Sequence, residues 1–304
     1  MNVHVSDPRT ESPTTRRPAL TNRVVERAIE TVENASWLGS VISKVVDAFS
    51  RVVGPGTLKD ALSGTWLGHP VHPLFTDVTV GAWTSAVALD LFGSERTRDG
   101  ADALVALGTL SALPTVITGV SELADSEARD ERNLGGAHAI SNLTATALFA
   151  LSYLQRRNGR RGLGTALSLG GIAVATVGAY VGGHLSFRRG IGVDRTAFDD
   201  PVRVWTRTIK DDDLIEGKAQ RVRVGRTDVM LYRTDSRIVA LANRCTHRGG
   251  PLHKGGIDEG SVTCPWHFSR FRLEDGAIVR GPATAPAPFF QTRVNDGVIE
   301  VRSA

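Results

Sequence analysis

From residue 70 to about 187 the chain is written largely in Ala, Gly, Leu, Val, Ser and Thr. Charged residues and turns divide this tract into four apolar segments, at roughly 73 to 92, 101 to 123, 135 to 155 and 163 to 187. Each approaches the ~20 residues that a helix rising about 1.5 Å per residue needs to cross a bilayer core. None is strongly hydrophobic, and Asp77, Asp90 and Asp102 fall within the first two, so a soluble helical bundle would suit the same segments. Membrane spans are the preferred reading, because small residues let helices approach closely in lipid and Gly178 with Gly182 forms a GxxxG pair. Pro114 predicts a kink in the second segment, which neighbouring helices can accommodate.

The composition changes on either side of this tract. Residues 1–20 carry almost nothing apolar and are expected to be a disordered tail. The twin arginines Arg16 and Arg17 are not followed by the continuous apolar run of a cleaved signal peptide. Residues 21–64 are expected to form an amphipathic helical segment: Val24, Val25, Ala28, Ile29, Val32, Leu38, Val41, Ile42, Val45, Val46 and Phe49 recur near helical spacing until "GPG" at 54–56 stops them. The four-helix membrane domain is placed at 65–190. Residues 200–304 are charged, with short β-branched runs separated by turn signals such as Thr234-Asp235-Ser236, Asp275-Gly276 and Asp296-Gly297, which describe a small all-β domain. The fold class expected is therefore multi-domain, an all-α four-helix transmembrane bundle followed by an all-β domain. The net charge of +4 is spread without an aromatic-interleaved basic stripe, which argues against a nucleic-acid partner.

The two cysteines of the chain each stand just before a histidine: Cys245-x-His247, sixteen residues, then Cys264-x-x-His267. This constellation, with "GGPL" at 249–252, resembles the Rieske family of [2Fe-2S] proteins, ferredoxin-like branch. The resemblance implies that two thiolates hold one iron and two imidazoles hold the other, on loops at the tips of β-hairpins. A zinc site would also accept two Cys and two His, but its usual spacing is Cys-x2-4-Cys with His-x3-5-His. The resemblance further gives Ser269 and Phe271 as cluster-tuning positions: Ser269 can donate a hydroxyl to a sulfide, whereas Phe271 replaces a tyrosine that would donate another. Fewer such bonds imply a potential low in the Rieske range. The extra disulfide of the quinol-oxidising branch would fall at Gly250 and Trp266. Phe268 departs from a usual glycine. His253 is assigned no role and is expected at the surface.

The stretch "GHPVHPLFTDVTVGAW", 68–83, resembles a bacterial four-helix membrane family, which implies a membrane location but no particular activity. His69, His72, His138 and His184 all fall on the side of the membrane where the C-terminal domain must lie, and His138 could approach His184. They are candidates, with Asp77, for a haem, quinone or proton site, against the plainer reading of polar interface anchors. The arginines Arg156, Arg157, Arg160 and Arg161 lie on the opposite side, while Arg51, Lys59, Arg188 and Arg189 flank the near side, so orientation stays open.

The function expected is that of an integral membrane protein of the bacterial cell membrane carrying one [2Fe-2S] cluster. It passes single electrons between a redox partner, a reductase or membrane electron carrier, and a membrane-associated donor or acceptor. Only 37 residues follow His267 and none is histidine, so an oxygenase iron domain is not expected. The alternatives are an iron–sulfur redox sensor or scaffold of a membrane complex and, more weakly, a transporter with an appended regulatory domain.

Overall fold

The computed structural model describes residues 20–126, 128–234 and 237–304. The expected tail, the twin arginines and the tip of the 234–236 turn lie outside the described residues.

Among the described residues seven α-helices precede the strands, rather than one amphipathic helix and four spans: α1 (Leu20–Glu33), α2 (Ser36–Val52), α3 (Thr57–Ser63), α4 (Val71–Phe92), α5 (Arg98–Leu123), α6 (Arg129–Arg157) and α7 (Arg161–Gly183). The amphipathic stretch breaks at Asn34 and Ala35 because its apolar face has two targets. Ile29 of α1 packs with Leu134 and Val181, while Leu38, Ile42 and Val46 of α2 form a separate cluster against Leu123 and Ala137. A two-residue break lets each helix follow its own groove.

Helices α4 to α7 form the four-cornered bundle. α5 and α7 each pack against both α4 and α6, which face each other across it. Its centre holds Trp83 stacked on Phe149 at 4.3 Å between ring centroids, with Val105 and Ala145 closing around them; such a stack contributes about 0.5–1.5 kcal/mol beyond its area. Three helical stretches, Glu95–Leu123, Arg129–Arg157 and Arg161–Arg188, are long and apolar enough to cross a membrane. α4 is not among them, since Asp77, Asp90, Thr76 and Thr79 dilute its apolar residues.

At the far end of the bundle Arg156 is not the solvated flanking charge its sequence suggests. Its side chain is fully buried, bonded to Asp90 and 3.0 Å from Asp102, and Arg161 bonds the same two carboxylates at 3.2 and 3.0 Å. Two of the four arginines in that cluster are thus neutralised internally, which weakens any reading of orientation from them.

After a π-turn at His184–Arg188 the chain enters two antiparallel sheets. The first has six strands in the order β1-β10-β9-β4-β3-β2, from β1 (Thr206–Lys210), β2 (Gln220–Val224), β3 (Thr227–Thr234), β4 (Arg237–Ala242), β9 (Phe289–Asn295) and β10 (Val298–Ser303). The second has four in the order β5-β6-β7-β8, from β5 (Gly256–Asp258), β6 (Ser261–Thr263), β7 (Arg270–Arg272) and β8 (Ile278–Arg280). Alternation along β3 sends Met230 toward the small sheet, where Leu241, Leu252, Val262 and Phe271 are fully buried, and Val229 and Leu231 to the opposite face with Ile299 and Val301.

The β region sits on the near end of the bundle through specific bonds. Asp60 accepts from the Gly281 amide at 2.9 Å, Thr65 donates to the Ala283 carbonyl at 3.1 Å, and Arg248 reaches the Glu122 carbonyl at 3.3 Å and Glu131 at 3.5 Å.

Candidate metal centre

Two loops build the site. The first, between β4 and β5, folds back on itself: the Cys245 amide donates to Gly250 at 2.9 Å, the Gly249 amide donates to Cys245 at 2.8 Å, and Arg244 bridges Pro251. It joins the two sheets rather than capping one hairpin. The second loop does cap the β6–β7 hairpin, with the Cys264 amide donating to Ser269 at 2.8 Å and the Phe268 amide to Cys264 at 3.2 Å. The loops touch at Gly250, where a Cβ would stand 2.6 Å from the Cys264 sulfur and 3.1 Å from the Trp266 ring. Glycine is needed there to let the second loop close, and the two positions of the disulfide found in the quinol-oxidising branch are indeed neighbours.

These loops deliver four side chains as two pairs. Cys245 and Cys264 are each 1% exposed and form no disulfide. The hydrogen bond with Cys264 and burial push the Cys245 thiol well up, while the amides of His247 and Arg248 aim at its sulfur and pull the other way. His247 and His267 stand edge to face, 5.0 Å between ring centroids and at 90°. Among the described residues no three His, Cys, Asp or Glu side chains converge on a single ion. Thiol beside thiol and imidazole beside imidazole is the pairing a two-iron centre takes.

The protonation pattern fits a metal. Nε2 of His247 lies 3.3 Å from Oδ2 of Asp125, just past the end of α5, and Lys59 of α3 pairs with the same carboxylate at 2.8 Å. Burial alone would raise the Asp125 carboxyl; its bond to His247 and its ion pair with Lys59 outweigh that and hold it at about 2. Burial pushes His247 down, keeping the imidazole neutral. A neutral ring that donates Nε2–H to a carboxylate leaves its lone pair on Nδ1, and Nδ1 is buried without a hydrogen-bond partner. A buried lone pair without a donor costs about 1–3 kcal/mol unless something coordinates it. His267, displaced downward to about 4 by burial and by the neighbouring His247, is likewise a neutral donor.

The flanking residues refine the site. Ser269 is fully buried and its oxygen accepts from the Ala283 amide at 3.0 Å, so its own proton is left to point elsewhere. Phe271 is fully buried in the cluster of core residues that holds both cysteines. Phe268 occupies backbone at φ 64°, the left-handed region where glycine costs nothing and a bulky side chain is strained. Its carbonyl is held by Arg280 at 3.0 Å. Replacing Phe268 by glycine is therefore expected to keep the loop and change stability by no more than a gain of about 1 kcal/mol, the strain released offsetting the entropy glycine adds to the unfolded chain. A melting temperature lowered by several degrees in the metal-loaded protein would contradict this.

Asp125 was not singled out in the sequence and Lys59 was read only as a charge flanking the near side, since nothing short-range links either residue to a motif more than 100 residues away. Of the bundle candidates, His69 and Asp77 are exposed and His184 faces Glu33, with Nε2 3.9 Å from Oε1. His138 meets His72 instead of His184, at 6.3 Å between ring centroids. His253 is half-buried, its Nδ1 2.8 Å from the Asn243 side chain, rather than a free surface residue.

Residues 204–294 match the Rieske [2Fe-2S] domain family, and residues 68–195 match the family described as Predicted membrane protein (DUF2231). Over 64 residues the chain is 38% identical to Apoptosis-inducing factor 3 of Homo sapiens, covering 21% of this chain and 11% of that protein. It is 29% identical over 72 residues to the ferredoxin component of the naphthalene 1,2-dioxygenase system of Pseudomonas putida, covering 24% of this chain and 69% of that one. The solved ferredoxin of carbazole 1,9a-dioxygenase from Nocardioides aromaticivorans IC177 is 26% identical, with a TM-score of 0.32, covering 33% of this chain and 99% of its own. The chain thus spans about a tenth of the length of the first of these relatives.

Proposed function

We propose, from the premise that this chain joins a Rieske [2Fe-2S] domain to a DUF2231 predicted membrane domain, that it passes single electrons between a soluble redox partner and a membrane-associated donor or acceptor. Cys245 and Cys264 would hold one iron and His247 and His267 the other, His247 through the lone pair of its Nδ1. The cluster supplies a one-electron centre that changes charge without making or breaking bonds to carbon. No oxygenase iron site is invoked.

The observation that carries this reading is the bond from His247 to Asp125. It ties a cluster ligand to the end of α5, the side of the domain that rests on the helices, while His267 remains the ligand nearer solvent. Asp125 fixes the His247 tautomer, Lys59 fixes Asp125, and Arg248 anchors the ligand loop to the α5 terminus. An anion bonded to a ligand also disfavours the extra electron. Asp125→Asn in the full chain, held in lipid nanodiscs, is therefore expected to raise the midpoint potential by roughly 60 mV, the one-electron equivalent of about 1.4 kcal/mol. It should also slow electron exchange with the membrane side more than reduction by a soluble flavin reductase. An unchanged potential, or equal slowing of both steps, would refute the proposed coupling.

A further inference from the structure

We propose that His72 and His138 are the two axial ligands of a haem held between α4 and α6 at the end of the bundle nearest the Rieske domain. This rests on the function proposed above and names the membrane-side partner of the cluster.

The two imidazoles come from α4 and α6, the helices that face each other across the bundle, and their rings approach to 6.3 Å between centroids at 74°. That spacing admits one metal with bonds of about 2 Å to a nitrogen of each ring. Both rings are oriented alike by the other two helices. Nδ1–H of His72 donates to the Thr115 carbonyl of α5 at 2.9 Å, with the Thr118 hydroxyl at 3.2 Å, and Nδ1–H of His138 donates to the Gly178 carbonyl of α7 at 2.8 Å; the Asn142 side-chain nitrogen lies 3.3 Å from both ring nitrogens of His138, a contact with Nε2 that a metal would replace while Asn142 keeps its 2.8 Å bond to the His138 carbonyl. A carbonyl only accepts, so each proton is on Nδ1 and each lone pair is on Nε2. Glycine seats both rings: a Cβ at Gly119 would stand 2.9 Å from Cε1 of His72, and one at Gly182 would stand 2.8 Å from Cε1 of His138.

The donor count selects the ligand. Among the described residues no third His, Cys, Asp or Glu joins this pair to complete a site for a bare ion. A porphyrin brings four equatorial nitrogens of its own and asks the protein for two axial ones, which is what two opposed imidazoles in a bundle core supply.

The place of the pair suits the function. α5 bonds His72 through Thr115 and Thr118, and its end carries Asp125, bonded to His247. Thr118 and Asp125 are seven residues apart, roughly 10 Å along a helix. One helix end therefore touches a ligand of each centre. A single electron crossing between them oxidises the cluster as it reduces ferric haem to ferrous, and no bond or proton need change.

The test uses the full chain, purified from a haem-supplied host and titrated with hemin. One haem per chain is expected, with a Soret band and resolved bands on reduction. His72→Ala and His138→Ala are each expected to lose it, while His69→Ala and His184→Ala keep it. His72→Met, which keeps an axial ligand, is expected to retain haem at a raised potential, a shift that a merely structural histidine would not produce. EPR of the reduced cluster is recorded on the same samples. An intact Rieske signal with no haem taken up overturns the haem proposal alone, as does a Soret band that survives both alanine variants. Binding of zinc or copper in place of hemin overturns it too. Haem bound without a Rieske signal upholds this site and overturns the function above.

Discussion

Replacing Cys264 by serine is expected to abolish the metal centre: purified protein should contain neither iron nor acid-labile sulfide, and reduction should produce no Rieske EPR signal. The cause is geometric as well as chemical. Cys264 is 1% exposed and its sulfur rests where a Cβ on Gly250 would stand 2.6 Å away, so a shorter oxygen ligand cannot reach the same point without moving both loops. Hard oxygen is also a poorer donor than thiolate for an iron–sulfur cluster. Because Cys264 and Cys245 belong to the core that contains Leu252, Val262 and Phe271, the variant should also unfold at lower temperature. A variant that retains a full complement of iron and sulfide would contradict the ligand assignment at this position.

The second large effect is expected at the other end of the molecule. Arg156→Met would leave Asp90, whose side chain is 1% exposed, and Asp102 with Arg161 alone, itself 28% exposed. Removing one partner of a buried ion network costs about 3–5 kcal/mol, because an uncompensated charge remains. The full chain should lose that much stability in detergent unfolding, or fail to accumulate. Adding Asp90→Asn and Asp102→Asn to the same variant should restore most of it, since no unpaired charge is then buried. An Arg156→Met protein as stable as the parent would show that the network contributes nothing; failure of the triple variant to recover would assign the loss to packing of the Arg156 stem.

What was legible in the sequence was local. Cys245-x-His247 and Cys264-x-x-His267 read correctly as a Rieske pattern because a cluster needs its ligands on two short loops. The short β-branched runs and the turn signals between them marked an all-β region, and the runs of β3 and β4 are apolar without a break because both faces of these strands are buried, at 229–231 and 239–242. Phe268, flagged as a departure from glycine, does sit at a left-handed backbone position, so the family's preference has its physical reason here.

What could not be read was set by distant contacts. The amphipathic run through residue 53 continued past Asn34 and Ala35 on periodicity alone, yet its apolar face turns to a second groove there. Arg156 looked like a membrane flank until Asp90 and Asp102, 66 and 54 residues away, proved to pair with it. His138 was expected near His184 on helix adjacency, but α4 brings His72 to it while the π-turn carries His184 toward Glu33. The bond from Asp125 to His247 joins residues in two different domains, and composition holds no trace of it.

The measurement that bears most directly on the central claim is pulsed EPR of the reduced full chain prepared with nitrogen-15 histidine. Two strongly coupled nitrogens, both lost as a pair from the spectrum of unlabelled histidine, are the result expected of His247 and His267 bound to one iron. A reduced cluster with no coupled histidine nitrogen, or with only one, would contradict the account.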